Sequence, residues 1–126
     1  KVVEEGRQNY LAYKVDQLMR AKKLFNEIRE NSLEFFQAAF SIKKVTKKLF
    51  DFYILDFEDF KDELKKQKIH LTLQIQEELF QLFKAKKNSL IQCDQLIKSL
   101  EQRIDQYIYE IYELSDDEIK LIEQSI

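Results

Sequence analysis

LQIQEELFQLFKAKKNSLIQCDQLIKSLEQRIDQYIYEIYEL, residues 73–114, decides the fold. Inside it, Leu79, Phe83, Leu90, Cys93, Ile97, Leu100, Ile104, Tyr107 and Ile111 recur at alternating steps of four and three. Lys86 is the one position that interrupts the register. This spacing keeps one stripe of a helix apolar along its length, and such a stripe seeks a partner helix. At about 1.5 Å per residue the run makes a rod of roughly 60 Å, far longer than an ordinary globular helix. The rod cannot cover its own stripe, so a second rod is expected alongside it.

The N-terminal third supplies one. From Glu4 toward Phe40 the apolar positions Leu11, Val15, Leu18, Phe25, Ile28, Phe35 and Ala39 are separated by threes, fours or their sums. The shared period predicts a long antiparallel hairpin with coiled-coil-like interlocking. Asn31 and Ser32 weaken the middle of this helix, and Asn31 followed by Glu34 resembles a capping box. The pattern fits both a continuous helix and a break near Asn31.

Between the rods the pattern is denser. Phe50, Phe52, Tyr53, Phe57 and Phe60 fall within one short stretch, joined by Leu49, Leu55 and Leu64. We expect two short helices, Lys43–Tyr53 and Phe57–Gln67, with Asp56 as N-cap of the second. Their aromatics should fill a compact cap at one end of the hairpin rather than form a base-stacking surface. Lys68–Leu71, with the only histidine, His70, reads as an irregular link before Thr72 caps the long helix. Ser115-Asp116-Asp117-Glu118 is a full capping box. The long helix should therefore stop near Glu113, and a last helix, Asp116–Gln124, should fold back on Ile119, Leu121 and Ile122. The fold class is all-α.

Composition agrees. The 126 residues contain no proline and one glycine, Gly6, with 35% charged and 44% apolar residues, which suits amphipathic helices with short connections. The chain reads as a single helical domain. Its start at Lys1, already in helix-like sequence, suggests an excised piece of something longer. A lone cysteine, Cys93, allows no disulfide within the chain, so a reducing, cytoplasmic setting is expected. No apolar run is long enough to span a membrane.

Little here suggests catalysis. His70 lacks companions for a metal site, and Cys93 lies on the apolar stripe, where an inert thiol is expected. One glycine cannot build a phosphate-cradling loop. No catalytic, cofactor-binding or metal-binding residue is nominated. Net charge is −2, but Lys43, Lys44, Lys47 and Lys48 form a basic cluster, and Lys84, Lys86 and Lys87 a second. Spaced as i, i+4 pairs on one helical face, the first four could lie along a DNA phosphate backbone; a solvated lysine face is the alternative.

The tail IDQYIYEIYELSDDEIKLIE, residues 104–123, resembles the ending of large bacterial type IIG restriction-modification proteins. There it reads Ile-Asp, an apolar residue, Val-Tyr-x-Leu-Tyr-Gly-Leu-Thr, acids, then Glu-Ile-x-x-Ile/Val-Glu. Lys48-Leu49, Leu55-Asp56-Phe57, Phe60, Glu63 to Ile69, and Leu71-Thr72-Leu73 are similar to the approach to that ending, and Asn9-Tyr10-Leu11-Ala12 to a helix start after the target-recognition region. Related phage-defence methyltransferases end similarly. The resemblance implies a parent chain that is an adenine-specific DNA methyltransferase using S-adenosylmethionine, with or without an endonuclease. The proline-containing motifs that carry those activities are not in this segment. It also implies a role for the segment: a non-catalytic scaffold that positions target-recognition and methyltransferase parts on DNA. Where the family has a glycine, this chain has Glu113, so a more gradual helix end replaces the left-handed turn. The rival expectation is a protein-interaction or oligomerisation module, completed by a partner chain or by a second copy in a homodimer, with no DNA role.

Overall fold

The structure, a computed structural model, describes residues 5–112 and 115–124. Its helices are α1 (Glu5–Phe40), α2 (Lys47–Phe50), α3 (Phe57–Lys66), α4 (Leu73–Ile111) and α5 (Asp116–Gln124), with a 3₁₀ turn at Phe52–Ile54. Among the described residues there is no strand. The two long helices, α1 and α4, pack together. The expected start at Glu4, the stop near Glu113 and the turn at Glu113 lie outside the described residues.

The chain forms two compact units, Lys22–Gln95 and the pair of segments Lys1–Ala21 and Leu96–Ile126. In the first, the aromatic unit, Phe36 of α1, Phe52 of the 3₁₀ turn, Phe60 of α3 and Phe83 of α4 meet in one cluster. The Phe60 and Phe83 rings are 4.6 Å apart, and Phe36 stands edge-on to Phe52 at 5.3 Å. Offset and edge-on packing is what the ring quadrupoles favour. The cap expected from the aromatic run is therefore present, though built differently from the expected helix Lys43–Tyr53. Thr46 caps a single turn instead, accepting from the Leu49 amide at 3.2 Å. Asp51 then leaves helical geometry (φ −100°, ψ 37°), and Phe52 enters the core fully buried. Arg29 makes this break tenable: its guanidinium lies 3.9 Å from the Phe50 ring centroid and donates to Asp51 Oδ1.

No break occurs at Asn31. Ser32 is buried and donates its hydroxyl to the Ile28 carbonyl at 2.7 Å, one turn back, so the polar side chain is satisfied inside a continuous helix. The inward face of α1 in this unit is Phe25, then Ser32, Leu33 and Phe36, whereas Phe35 and Ala39 are exposed. The expected α1 register was thus wrong beyond Phe25. With two adjacent phenylalanines, periodicity alone could not say which one faces inward. The α4 stripe behaves as read, and Lys86 is accommodated at its edge with its ammonium 6.0 Å from the Phe35 ring centroid.

The terminal unit, Lys1–Ala21 with Leu96–Ile126, is thinner. Ile97, Leu100, Ile104 and Ile111 are buried along α4, and Tyr10 meets Tyr107 at 4.6 Å. Opposite them Leu11 and Leu18 are only half-buried, and Val15 is exposed. The Ser115–Glu118 capping box forms as expected: the Glu118 amide donates to Ser115 Oγ at 3.2 Å, and the Ser115 amide to Glu118 Oε1 at 3.1 Å. The expected burial of α5 does not follow. Ile119 is half-buried, while Leu121 and Ile122 are exposed. A nine-residue helix beside only two others finds too little surface to cover its apolar positions.

Two helix ends close through left-handed residues. α1 ends at Ser41, in the left-handed region at φ 54°, and the Ile42 amide donates back to Gln37. α3 ends the same way at Lys68, φ 61°, with Lys68 N–H donating to Lys65 and Ile69 N–H to Leu64. Both have Schellman-type geometry, usually completed by glycine. With Gly6 its only glycine, the chain makes these turns with a serine and a lysine, each at a cost of about 1 kcal/mol.

Candidate nucleic-acid interface

The four candidate lysines are all exposed, but they do not share a helical face. Ile42 is buried and anchors the chain after α1, and the run up to Thr46 is irregular. Lys43 and Lys44 sit on this run, while Lys47 and Lys48 begin α2. The expected i, i+4 pairing on one helix therefore does not exist, because the N-cap at Thr46 starts the helix after the first two lysines.

The structure instead brings Lys43 and Lys44 to the end of α3. Gln67 makes the join: its Nε2 donates to the Lys44 carbonyl at 2.7 Å, and the Lys44 amide donates to Gln67 Oε1 at 3.5 Å. Around the join lies an open depression of about 380 Å³ lined by Lys43, Lys44, Thr46, Lys66, Gln67 and Lys68. It has four lysines and no carboxylate in its lining. Lys66 and Lys68 were missed in the sequence. In the sequence Lys66 falls in the expected helix Phe57–Gln67 and Lys68 opens the irregular link, and the Gln67 contact sets both beside Lys43 and Lys44.

Lys48 faces elsewhere. Its ammonium lies 3.7 Å from Glu63 Oε1, and Lys66 donates to the same oxygen at 2.9 Å. Glu63 is a buried acid. The hydrogen bond from Lys66, with the charges of Lys66 and Lys48, holds its carboxyl below the ordinary value of 4.5 against the opposing effect of burial. The Lys66 ammonium is correspondingly pushed up. A second depression beside these groups is lined by Asp59, Asp62 and Glu63 as well as lysines, so it offers an anion no net attraction.

The other basic cluster is largely committed to the fold. Lys87 donates to the Leu55 carbonyl and lies 5.6 Å from the Phe83 ring centroid, and Lys86 lies over Phe35. His70 is exposed in the link before α4. Burial, helped by the charge of Asp94, pushes the Cys93 thiol up and away from the reactive thiolate. Among the described residues no three His, Cys, Asp or Glu side chains group as metal ligands, and no helix is long and apolar enough to cross a membrane.

Fold and surface together define a helical module: a long α-helical pair, an aromatic cap and an exposed lysine cradle. The chain belongs to the family described as Domain of unknown function (DUF8810), which matches residues 4–108. No curated protein and no solved structure matches it.

Proposed function

We propose that this chain is a non-catalytic helical scaffold that rests a lysine-lined surface on a DNA phosphate backbone. Following the resemblance of its tail, we place it in a restriction-modification protein, where the helical pair sets the distance between target-recognition and methyltransferase parts. S-adenosylmethionine and the transfer chemistry belong to the rest of that parent chain. One observation carries the DNA reading: Lys43 and Lys44 share a carboxylate-free depression with Lys66 and Lys68. Cations gathered without intervening acids displace condensed counterions from DNA, and that release drives sequence-independent binding. Titrating the full chain against a short duplex at rising salt tests this. The logarithm of affinity should fall by about 0.9 per tenfold rise in salt for each phosphate neutralised. Absence of binding at about 50 mM salt, the low end of the range where such contacts persist, would end the DNA role.

A second reading, oligomerisation, is favoured by a different feature. Leu11, Ala12, Val15 and Met19 border an open apolar depression on α1 that also includes Asp16, and Asp16 pairs with Arg20 at 2.9 Å on the exposed surface. An antiparallel second copy would cover this stripe and exchange the Asp16–Arg20 pair between chains. Sedimentation of the chain at low micromolar concentration would then give a dimer.

A further inference from the structure

We propose that Lys68, with Lys43 and Lys44, forms a single cradle for the phosphodiester backbone of duplex DNA, built where α1 and α3 end. The inference rests on the DNA reading above and narrows its residues: of the four lysines lining the depression Lys66 leaves, and Lys47 and Lys48, expected from the sequence, have no part in it. Lys48 spends its charge on buried Glu63, and Lys47 is not among the residues lining the depression. Lys66 lines it but donates to Glu63. Lys43, Lys44 and Lys68 are the lining lysines that make no ion pair among the described residues.

Lys68 is singled out by its backbone. At φ 61° it completes the Schellman turn of α3, where glycine would serve without strain. Its side chain is exposed and adds no packing that would offset the cost. The turn fixes where the Lys68 side chain leaves the end of α3, on the lining of the depression. Gln67, the next residue back, ties the turn to the Lys44 backbone through both of its amide atoms. Lys68 is thus presented from a fixed turn, and Lys43 and Lys44 from a run that Gln67 ties to it, which lowers the ordering cost of gripping successive phosphates.

The test uses the full chain and a fluorescent short duplex, read by anisotropy across a salt series, beside thermal unfolding. Lys68→Gly relieves the left-handed strain, so its unfolding midpoint should rise by about 4 °C. The same change should lower the salt slope by about 0.9. Stability and binding then move in opposite directions, which damage to the fold cannot imitate. Lys68→Gln, which keeps the strain and loses the charge, should give the same fall in slope. Lys43→Gln with Lys44→Gln should lower it by about 1.8, and Lys47→Gln should leave it unchanged. If both Lys68 variants bind like the parent while the Lys43/Lys44 double variant weakens, the cradle is overturned and the broader DNA reading stands. If the parent chain does not bind the duplex at about 50 mM salt, both fall. Displacement of the duplex by polyglutamate as readily as by unlabelled DNA would also overturn the assignment, making the surface a general anion sink.

Discussion

The aromatic unit and the terminal unit use the same two long helices yet reach different degrees of closure. In Lys22–Gln95, Phe36, Phe52, Phe60, Leu49, Leu64, Leu79 and Leu90 expose 1% of their surface or less. In the unit made from the two chain ends, Ile111 keeps 3%, Leu100 6%, and Ile97 and Ile104 9%. The difference lies in how many elements converge. Beside α1 and α4, the aromatic unit has α2, the 3₁₀ turn and α3 to complete a shell around each phenylalanine. The terminal unit adds only α5, none of whose residues is buried. A stripe facing one partner helix is covered from one side, and a side chain enclosed on several sides reaches the packing density of a true interior.

The largest expected effect tests that difference directly. Phe60→Ala removes a ring in contact with Phe36, Phe52 and Phe83 and should cost about 3–5 kcal/mol. Ile104→Ala, on the thinner unit, should cost near the lower limit of its class, about 2 kcal/mol, because the cavity it leaves is open to collapse and to water. Urea unfolding of the two variants gives the ratio. Equal losses would mean that closure differs in appearance and not in energy.

The same contrast explains what could be read from the sequence. The α4 stripe was legible because Leu79 to Ile111 repeats without ambiguity, and side-chain caps at Asp56, Thr72 and Ser115 act within three residues of themselves. The inward face of α1 was not, since Phe35 and Phe36 are equally apolar and the choice between them is made by Phe52 and Phe60. Likewise the cap at Thr46 starts α2 inside the expected helix Lys43–Tyr53, whose lysines keep helical spacing on both sides of it. As for the site, Lys43 and Lys44 were visible as charge, but their neighbours Lys66 and Lys68 lie more than twenty residues away in sequence. The left-handed turns at Ser41 and Lys68 carry none of the glycine that normally announces them. Long-range contact, not local preference, assembles the cradle.

A smaller effect should appear in the aromatic unit on acidification. Glu63 is held below its ordinary value of 4.5, chiefly by the hydrogen bond from Lys66. A depressed carboxyl contributes stability that is fully present above the ordinary value and is lost as pH falls through the lower native one. Stability measured by urea unfolding should therefore decline below about pH 5. Glu63→Gln should be less stable than the parent at neutral pH and show a shallower decline. A parent and variant with parallel pH profiles would show that Lys48 and Lys66 do not discriminate between the charged and neutral forms of this acid.

The smallest effect belongs to the terminal unit and should stay local. Ser115→Ala removes one half of the capping box, leaving the Glu118 amide without its hydroxyl acceptor, and should weaken α5 by about 1 kcal/mol. Because Leu121 and Ile122 are exposed and α5 has no buried residue, little packing couples that loss to the rest of the chain. Hydrogen exchange at the amides of Glu118 and Ile119 should accelerate about fivefold, the factor that 1 kcal/mol implies. Exchange at Phe60 and Leu64 should be unchanged. Acceleration at those core amides as well would mean that α5 unfolds only with the whole molecule. The open face of the terminal unit would then be energetically bound to the closed core, and the contrast between the two units would be one of exposure alone.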